Sequence, residues 1–397
     1  MQPDVIVLGL GAMGSAALNQ LARRGVKVLG IDRYQPPHDR GSSHGETRIT
    51  RLAVGEGAAY VPLVMRSHAI WRELEAETGQ QLLLTCGFLA VDGAGGITQF
   101  HGKTGFLDRT IEAAEQFGIT HEVLTSSEAA YRFPGFRFTG DERCYYEPDG
   151  GVVFPERCIA AQLQTARRHG AQVRTDETVI SLSSTAHSVT VTTDRGVHSA
   201  ARVIVATGGW SRGLVPVPMR SLSLLRQTLH WYEVAQPAVW SVDRAPTFVW
   251  IYGPGREQSF YGFPLVEGAG TDGLKVAAEQ YASVSATPED IDRTVGAHEG
   301  KSMYDDHVSR FMVGVGPKVV RSAACFYTFA PDGDFVIGPL ADMPGVTLVS
   351  ACSGHGFKHC AGIGELIAES LLYGADIPDV FAVTRRSLQE AGISGSQ

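Results

Sequence analysis

What this chain lacks narrows the field first. No apolar run reaches the ~18 residues of a membrane helix without meeting glycine or a charge, so no helical span is expected. Basic residues are in deficit, with 34 Lys and Arg against 42 Asp and Glu and a formal net charge of −8. Such a surface has no surplus to grip phosphate backbones, which argues against a nucleic-acid partner. The six cysteines, Cys86, Cys144, Cys158, Cys325, Cys352 and Cys360, form no Cys-x-x-Cys pair and no zinc spacing with histidine, so no metal site is expected. Met1 to Asp4 leave no room for a basic leader ahead of the apolar run at Val5. The expectation is a soluble cytoplasmic protein whose cysteines are small buried hydrophobes, not a disulfide framework. What remains is 397 residues, 44% of them hydrophobic, enough to fill cores for more than one domain.

The first thirty-odd residues carry the strongest local pattern. Val5 to Leu8 is wholly apolar, as a strand buried on both faces requires. Gly9-Leu10-Gly11-Ala12-Met13-Gly14 follows at once, then a helical stretch from Ser15 to Arg24 ended by Gly25. Val26 to Ile31 reads as a second strand, ending at Asp32. Gly9 permits a tight turn, Gly11 lets a pyrophosphate approach the backbone, and Gly14 lets helix and strand pack closely. The first-turn amides point at the phosphates, and a carboxylate about 20 residues on, here Asp32, accepts the ribose hydroxyls. Strand, glycine turn, helix, strand and acid together indicate a dinucleotide site, without choosing between NAD and FAD.

The rest of the chain alternates in style. Ile159 to His169 reads as a helix, Gln172 to Val191 as strands, and Ala201 to Ala206 as an apolar strand entering Thr207-Gly208-Gly209-Trp210, a further source of cofactor contacts. Residues 83–149 and 219–324 are rich in aromatic and β-forming residues and predict a mostly antiparallel sheet layer. Val346 to Ser350 predicts a strand, followed by a glycine loop and a helix over 361–372. With no low-complexity linker, the expected architecture is α/β. A Rossmann-like nucleotide domain (1–82, 150–218 and 325–397) is interleaved with a substrate domain (83–149 and 219–324).

Four further segments supply a resemblance. They are Ser42-Ser43-His44-Gly45-Glu46-Thr47-Arg48-Ile49-Thr50-Arg51; Tyr261-Gly262-Phe263-Pro264 with Gly273-Leu274-Lys275; Ala323-Ala324-Cys325-Phe326-Tyr327-Thr328 leading to Pro331-Asp332-Gly333-Asp334-Phe335; and Ser353-Gly354-His355-Gly356-Phe357-Lys358. Together, in this order and as far as about residue 373, they resemble the monomeric sarcosine oxidase and N-methyltryptophan oxidase family of FAD-dependent amine oxidoreductases. The resemblance implies a sarcosine and D-amino-acid oxidase-like fold. It implies FAD joined through a thioether to Cys325, with Cys352 as a rival thiol. It places Arg51 and Lys358 on the substrate carboxylate, Lys275 where oxygen is activated, and Tyr261 in the active site. His44, Thr47 and Arg48 match flavin-facing positions. The expected cofactor set also takes in Ala12, Met13, Arg33, Ser42, Ser43, Val173 and Gly208, with Gly354, His355, Gly356, Phe357 and Lys358 from the last loop. A monomer acting on a small amino acid and O2 is expected.

Two departures from that pattern concern the pocket. Glu279 stands where sarcosine oxidases carry histidine, and Val54 where they carry tyrosine. The first reverses a charge and the second removes bulk, so the expected substrate is a secondary amino acid other than sarcosine itself, with a longer or more basic substituent. The implied reaction is hydride transfer from a neutral amine to flavin N5, imine hydrolysis, and reduction of O2 to hydrogen peroxide. It needs no general base beyond the amine's own deprotonation. Alternatives are a glycine-oxidase- or pipecolate-type flavin oxidase, an NAD-dependent dehydrogenase, and a flavin-binding protein without turnover.

Overall fold

A computed structural model of the chain describes residues 2–388 apart from 98–99, 102, 216–218 and 269–272. Parts of each expected segment, including 389–397, therefore lie outside the described residues. Val5–Leu8 pairs in parallel with Val28–Ile31 on one side and Arg202–Val205 on the other. Among the described residues this core grows into a six-stranded sheet, ordered Val336–Pro339, Val346–Ser350, Arg202–Val205, Val5–Leu8, Val28–Ile31, Gln172–Arg174. Only its first pair is antiparallel. The central strands are buried on both faces, which is why their sequences do not alternate.

The helix expected from Ser15 begins earlier and spans Ala12–Arg23, so Gly14 lies inside it. This helix packs against helices Pro155–Arg168 and Cys360–Tyr373. The fit is close enough that a Cβ on Gly364 would stand 2.6 Å from the Ala16 Cβ.

Residues 88–329 contribute a second, larger sheet, nine-stranded among the described residues. Its long antiparallel pair, Ser223–Val234 with Val315–Phe329, is flanked by Leu274–Ala277, Ser259–Gly262 and Thr247–Ile251. Thr247–Ile251 pairs in parallel with Phe88–Asp92, an exception to the expected antiparallel layer. The stretch 83–149 also holds two helices, Phe106–Phe117 and Ser126–Arg132. The second begins at a capping box, in which the Thr125 hydroxyl and the Glu128 carboxylate satisfy each other's backbone amides. The strand Val315–Phe329 passes straight through residue 325, so the boundary expected there falls inside an element.

Alternation sorts the side chains of this sheet. Phe248, Trp250, Phe260, Leu274 and Val276 face an aromatic core with Phe136, Trp240 and Phe311. The opposite parity carries Leu229, Trp231, Tyr261, Ala277 and Ala323. That second face looks toward the nucleotide sheet, and a cavity lies between them.

Candidate active site

The cavity has a volume of about 410 Å³ and is lined by residues of both sheets. At one end the backbone shapes it. Gly9 adopts φ +79°, and a Cβ there would sit 2.7 Å from the Ala206 carbonyl oxygen. A Cβ on Gly14 would lie 1.7 Å from the Gly9 carbonyl oxygen, so helix and turn can meet only at glycine. Gly11 caps the helix without any side-chain hydrogen bond, which leaves the first-turn amides unclaimed by side chains. Asp32 accepts the Leu10 N–H at 2.6 Å and the Tyr34 N–H at 2.8 Å, which fixes its carboxylate against the turn. Amides for a diphosphate and an acid for a ribose fit a dinucleotide cofactor.

Of the cofactor residues expected from sequence, Gly9, Gly11, Ala12, Met13, Asp32 and Arg33 line this end. Ser42, Ser43, Thr47, Arg48 and Gly208 line its walls, and Gly354, His355, Gly356, Phe357 and Lys358 close the far side. Gly14 acts from within the helix. Three of the expected residues are not on the cavity wall. Val173 does not line the cavity: it packs against the main apolar cluster, and Glu177 to Ile180 supply the wall instead. His44 is buried beside the cavity but does not line it; burial and then Arg48 push its pKa down to about 3, which makes it a neutral packed imidazole. Cys325 is buried beside the wall residues Phe326 and Tyr327, and Cys352 lines the wall. Burial raises the Cys325 pKa, while Arg48 and Lys275 work to lower it.

At the other end side chains do the shaping. Arg51 is 4% exposed, and its guanidinium lies 4.9 Å from the Phe88 ring centre and 5.2 Å from that of Phe106. One of its terminal nitrogens donates to both oxygens of Glu56 at 3.0 Å, and its Nε has no partner. Lys358 is 3.7 Å from the same carboxylate and donates to the His355 carbonyl at 3.0 Å. Burial opposes ionisation of Glu56, but Arg51 and Lys358 outweigh it and hold its carboxyl well below the usual range. For Lys358 burial dominates and brings the pKa down to about 7; Arg51 adds to the fall and Glu56 opposes it.

Glu56 leads further. His101 bonds Glu56 Oε1 through Nδ1 at 2.9 Å and Glu279 Oε1 through Nε2 at 2.7 Å. The Tyr281 hydroxyl donates to the other oxygen of Glu279. Burial works against protonation of His101, yet Glu279 and Glu56 outweigh it and pull its pKa up. Arg51, Glu56, His101 and Glu279 thus form one buried chain that ends at the half-buried Tyr281. Glu56, His101 and His355 are close enough to form a metal triad, but Glu56 already answers to Arg51 and Lys358, so the set is an ion-pair network.

Lys275 belongs to the sheet face with Tyr261. Its ammonium donates to the Gly45 and Thr47 carbonyls at 2.7 and 2.9 Å and to the Thr47 hydroxyl at 3.2 Å. Burial and then Arg48 push its pKa well below the ordinary lysine value. Tyr261 and Tyr327 share a hydrogen bond, and burial raises the Tyr261 pKa to about 12.

The cavity therefore gathers Arg51, Lys358, Lys275, Tyr261 and Glu279. Val54 it leaves out. That side chain is fully buried in the main apolar cluster and does not line the cavity. The sequence reading missed Glu56 and His101. Neither sits in a recognisable motif; the one signal was an acid between two glycines, Gly55-Glu56-Gly57, soon after Arg51.

An α/β body with two large sheets and a glycine-turn dinucleotide site opening into a charged pocket defines a nucleotide-dependent oxidoreductase. The family model described as FAD dependent oxidoreductase matches residues 4–370, and the chain belongs to that family. Its cofactor is FAD. The chain is 35% identical over 373 residues to a monomeric sarcosine oxidase of Streptomyces avermitilis, covering 94% of each. It is 32% identical over 391 residues to an N-methyl-L-tryptophan oxidase of Yersinia pestis, covering 98% of this chain and 99% of that one. In fold it resembles NikD, an unusual amino acid oxidase essential for nikkomycin biosynthesis (TM-score 0.80, 24% identity, 96% of each chain). It also resembles glycine oxidase from Bacillus cereus (TM-score 0.72, 17% identity, 97% and 99%). Among the described residues no helix is long and apolar enough to cross a membrane.

Proposed function

We propose that this protein is an oxidase of secondary α-amino acids, with a substrate other than sarcosine. The observation that carries this reading is the pair of buried cations, Arg51 and Lys358, in the same cavity as the glycine turn. Keeping two cations out of water is costly; the single carboxylate of Glu56 offsets part of that cost, and an anionic substrate offsets more. Arg51 offers a planar fork locked between two aromatic rings, and Lys358 a point charge. The incoming carboxylate competes with Glu56 for Arg51, which has an unused donor at Nε. Positioning of this kind contributes roughly 7–11 kcal/mol to rate at best.

The glycine turn, Asp32 and Arg48 would hold FAD, which when bound supplies the acceptor for hydride and the donor of electrons to O2. Lys275, fixed by three oxygen acceptors, supplies positive charge where oxygen takes on electrons. Tyr261 and Tyr327 wall the pocket and keep water from the reacting carbon. Cys325, on the strand face next to Tyr327 and within the influence of Arg48 and Lys275, carries the covalent link to the flavin.

The experiment is a peroxide assay of the purified yellow protein against N-substituted amino acids, with glycine and cyclic amino acids as the alternative class. Peroxide from secondary α-amino acids, with sarcosine not the best, supports the reading. Turnover confined to primary amino acids, or none, refutes it. For the link, acid precipitation should leave the colour on the polypeptide in the native protein and in C352A, and release it in C325A.

A further inference from the structure

Docking a carboxylate on two cations gives no role to Glu279. Yet the fold invests in placing it. It continues the extended segment Leu274–Ala277 with the parity of Lys275, so both point to the cavity. Its Oε1 accepts from His101 Nε2 at 2.7 Å and its Oε2 from Tyr281. A carboxylate has about two acceptor directions per oxygen, and one hydrogen bond is made to each here. His101 is itself held by Glu56, so the carboxylate cannot swing away. Across the gap is Gly354, where a Cβ would stand 2.9 Å from Glu279 Oε1 and 3.1 Å from the Tyr327 ring. Any larger residue there would press on this carboxylate, so glycine keeps that side of Glu279 clear of a side chain. The pocket holds both signs: Arg51 and Lys358 line it, and so does the carboxylate of Glu279. An α-amino acid offers a partner for each, with its nitrogen one carbon from its carboxylate.

We propose that Glu279 is the counter-charge for the substrate nitrogen: it accepts the N–H hydrogen bond of the bound amino acid and stabilises the positive charge that oxidation builds there, with His101 as its positioning residue. The inference rests on the amino acid oxidase reading. In the step itself a C–H bond beside nitrogen breaks, and hydrogen leaves with both electrons as hydride to the bound flavin. The nitrogen lone pair becomes the C=N π bond, and the nitrogen becomes cationic. A fixed carboxylate in a water-poor cavity interacts with that charge more strongly in the transition state than with the neutral amine, which is the condition for catalysis.

The test uses the flavin-loaded protein and two isosteric carboxylates that cannot be oxidised, trimethylglycine and 3,3-dimethylbutanoate. They differ only in a cationic nitrogen against a neutral carbon, and binding is read from the flavin absorbance. E279Q is expected to reduce the affinity ratio, trimethylglycine over dimethylbutanoate, by about tenfold or more. H101N shifts it the same way by less. A merely structural role would weaken both ligands together and leave the ratio unmoved. The limiting rate of anaerobic flavin reduction by a secondary amino acid should fall about a hundredfold in E279Q. An unchanged ratio and rate in E279Q overturn the proposal; if E279Q does not fold, an unchanged ratio in H101N does so. Should the unmutated protein bind neither carboxylate, the carboxylate-docking reading fails and this one falls with it. If it binds both and E279Q leaves the ratio unmoved, only the role of Glu279 is lost.

Discussion

The two ends of the cavity are built by opposite means. Around Gly9, Gly11 and Gly14 the shape comes from main chain, and side chains matter by their absence. Around Arg51 and Glu279 it comes from side chains delivered by separate segments and tied by ion pairs. The two buried lysines repeat the contrast. Lys275 is held by two backbone carbonyls and one hydroxyl, Lys358 by a carboxylate and a carbonyl. A backbone site such as the glycine turn tolerates no added atom and carries no titrating group of its own. A side-chain network tolerates isosteric change and responds to protonation.

The largest effect should break the first half of that contrast. G14V puts side-chain atoms against the Gly9 carbonyl, which only a shift of the helix could relieve. The expected result is loss of bound flavin, measured as absence of visible absorption in the purified protein. Next is R51M, which leaves Glu56 buried with its principal partner gone. Breaking such a pair costs about 3–5 kcal/mol, read as a lowered midpoint in denaturant, together with a fall of about a hundredfold or more in kcat/KM.

The third prediction sharpens the contrast between the lysines. Lys358 titrates near 7 because burial disfavours its charged form. It is cationic below that pH and neutral above. Binding of an inert carboxylate should therefore weaken as pH rises through about 7, and K358R should flatten the profile. The smallest effect concerns Val54. V54Y overpacks a filled core at a cost of about 1–3 kcal/mol, with the ranking of substrates unchanged. A changed ranking would restore Val54 to the pocket.

The same contrast explains what could be read from the sequence. A backbone site is local: turn, helix and acid follow one another from Gly9 to Asp32, and their order is their geometry. Arg51, Lys275 and Lys358 were legible because each sits in a segment with a recognisable pattern. Glu56 and His101 were not, because their meaning is relational. His101 joins the site from a loop between a strand and the helix Phe106–Phe117, at φ 48° for a residue that is not glycine. Nothing local to it announces a carboxylate on either side. Val54 is assigned to the pocket by the resemblance alone, and the chain turns its side chain into the core. Val173 packs against the apolar cluster a few residues ahead of the stretch Glu177 to Ile180 that lines the wall.

The central claim is that two buried cations dock a carboxylate beside the flavin. Its most direct test is anaerobic titration of the yellow protein with a secondary α-amino acid and with the primary amide of the same compound. The amino acid should bleach the flavin with saturation. The amide, which has no charge for Arg51 and Lys358, should be about a hundredfold less effective, and R51M should erase most of that difference. Equal bleaching by acid and amide would contradict the account.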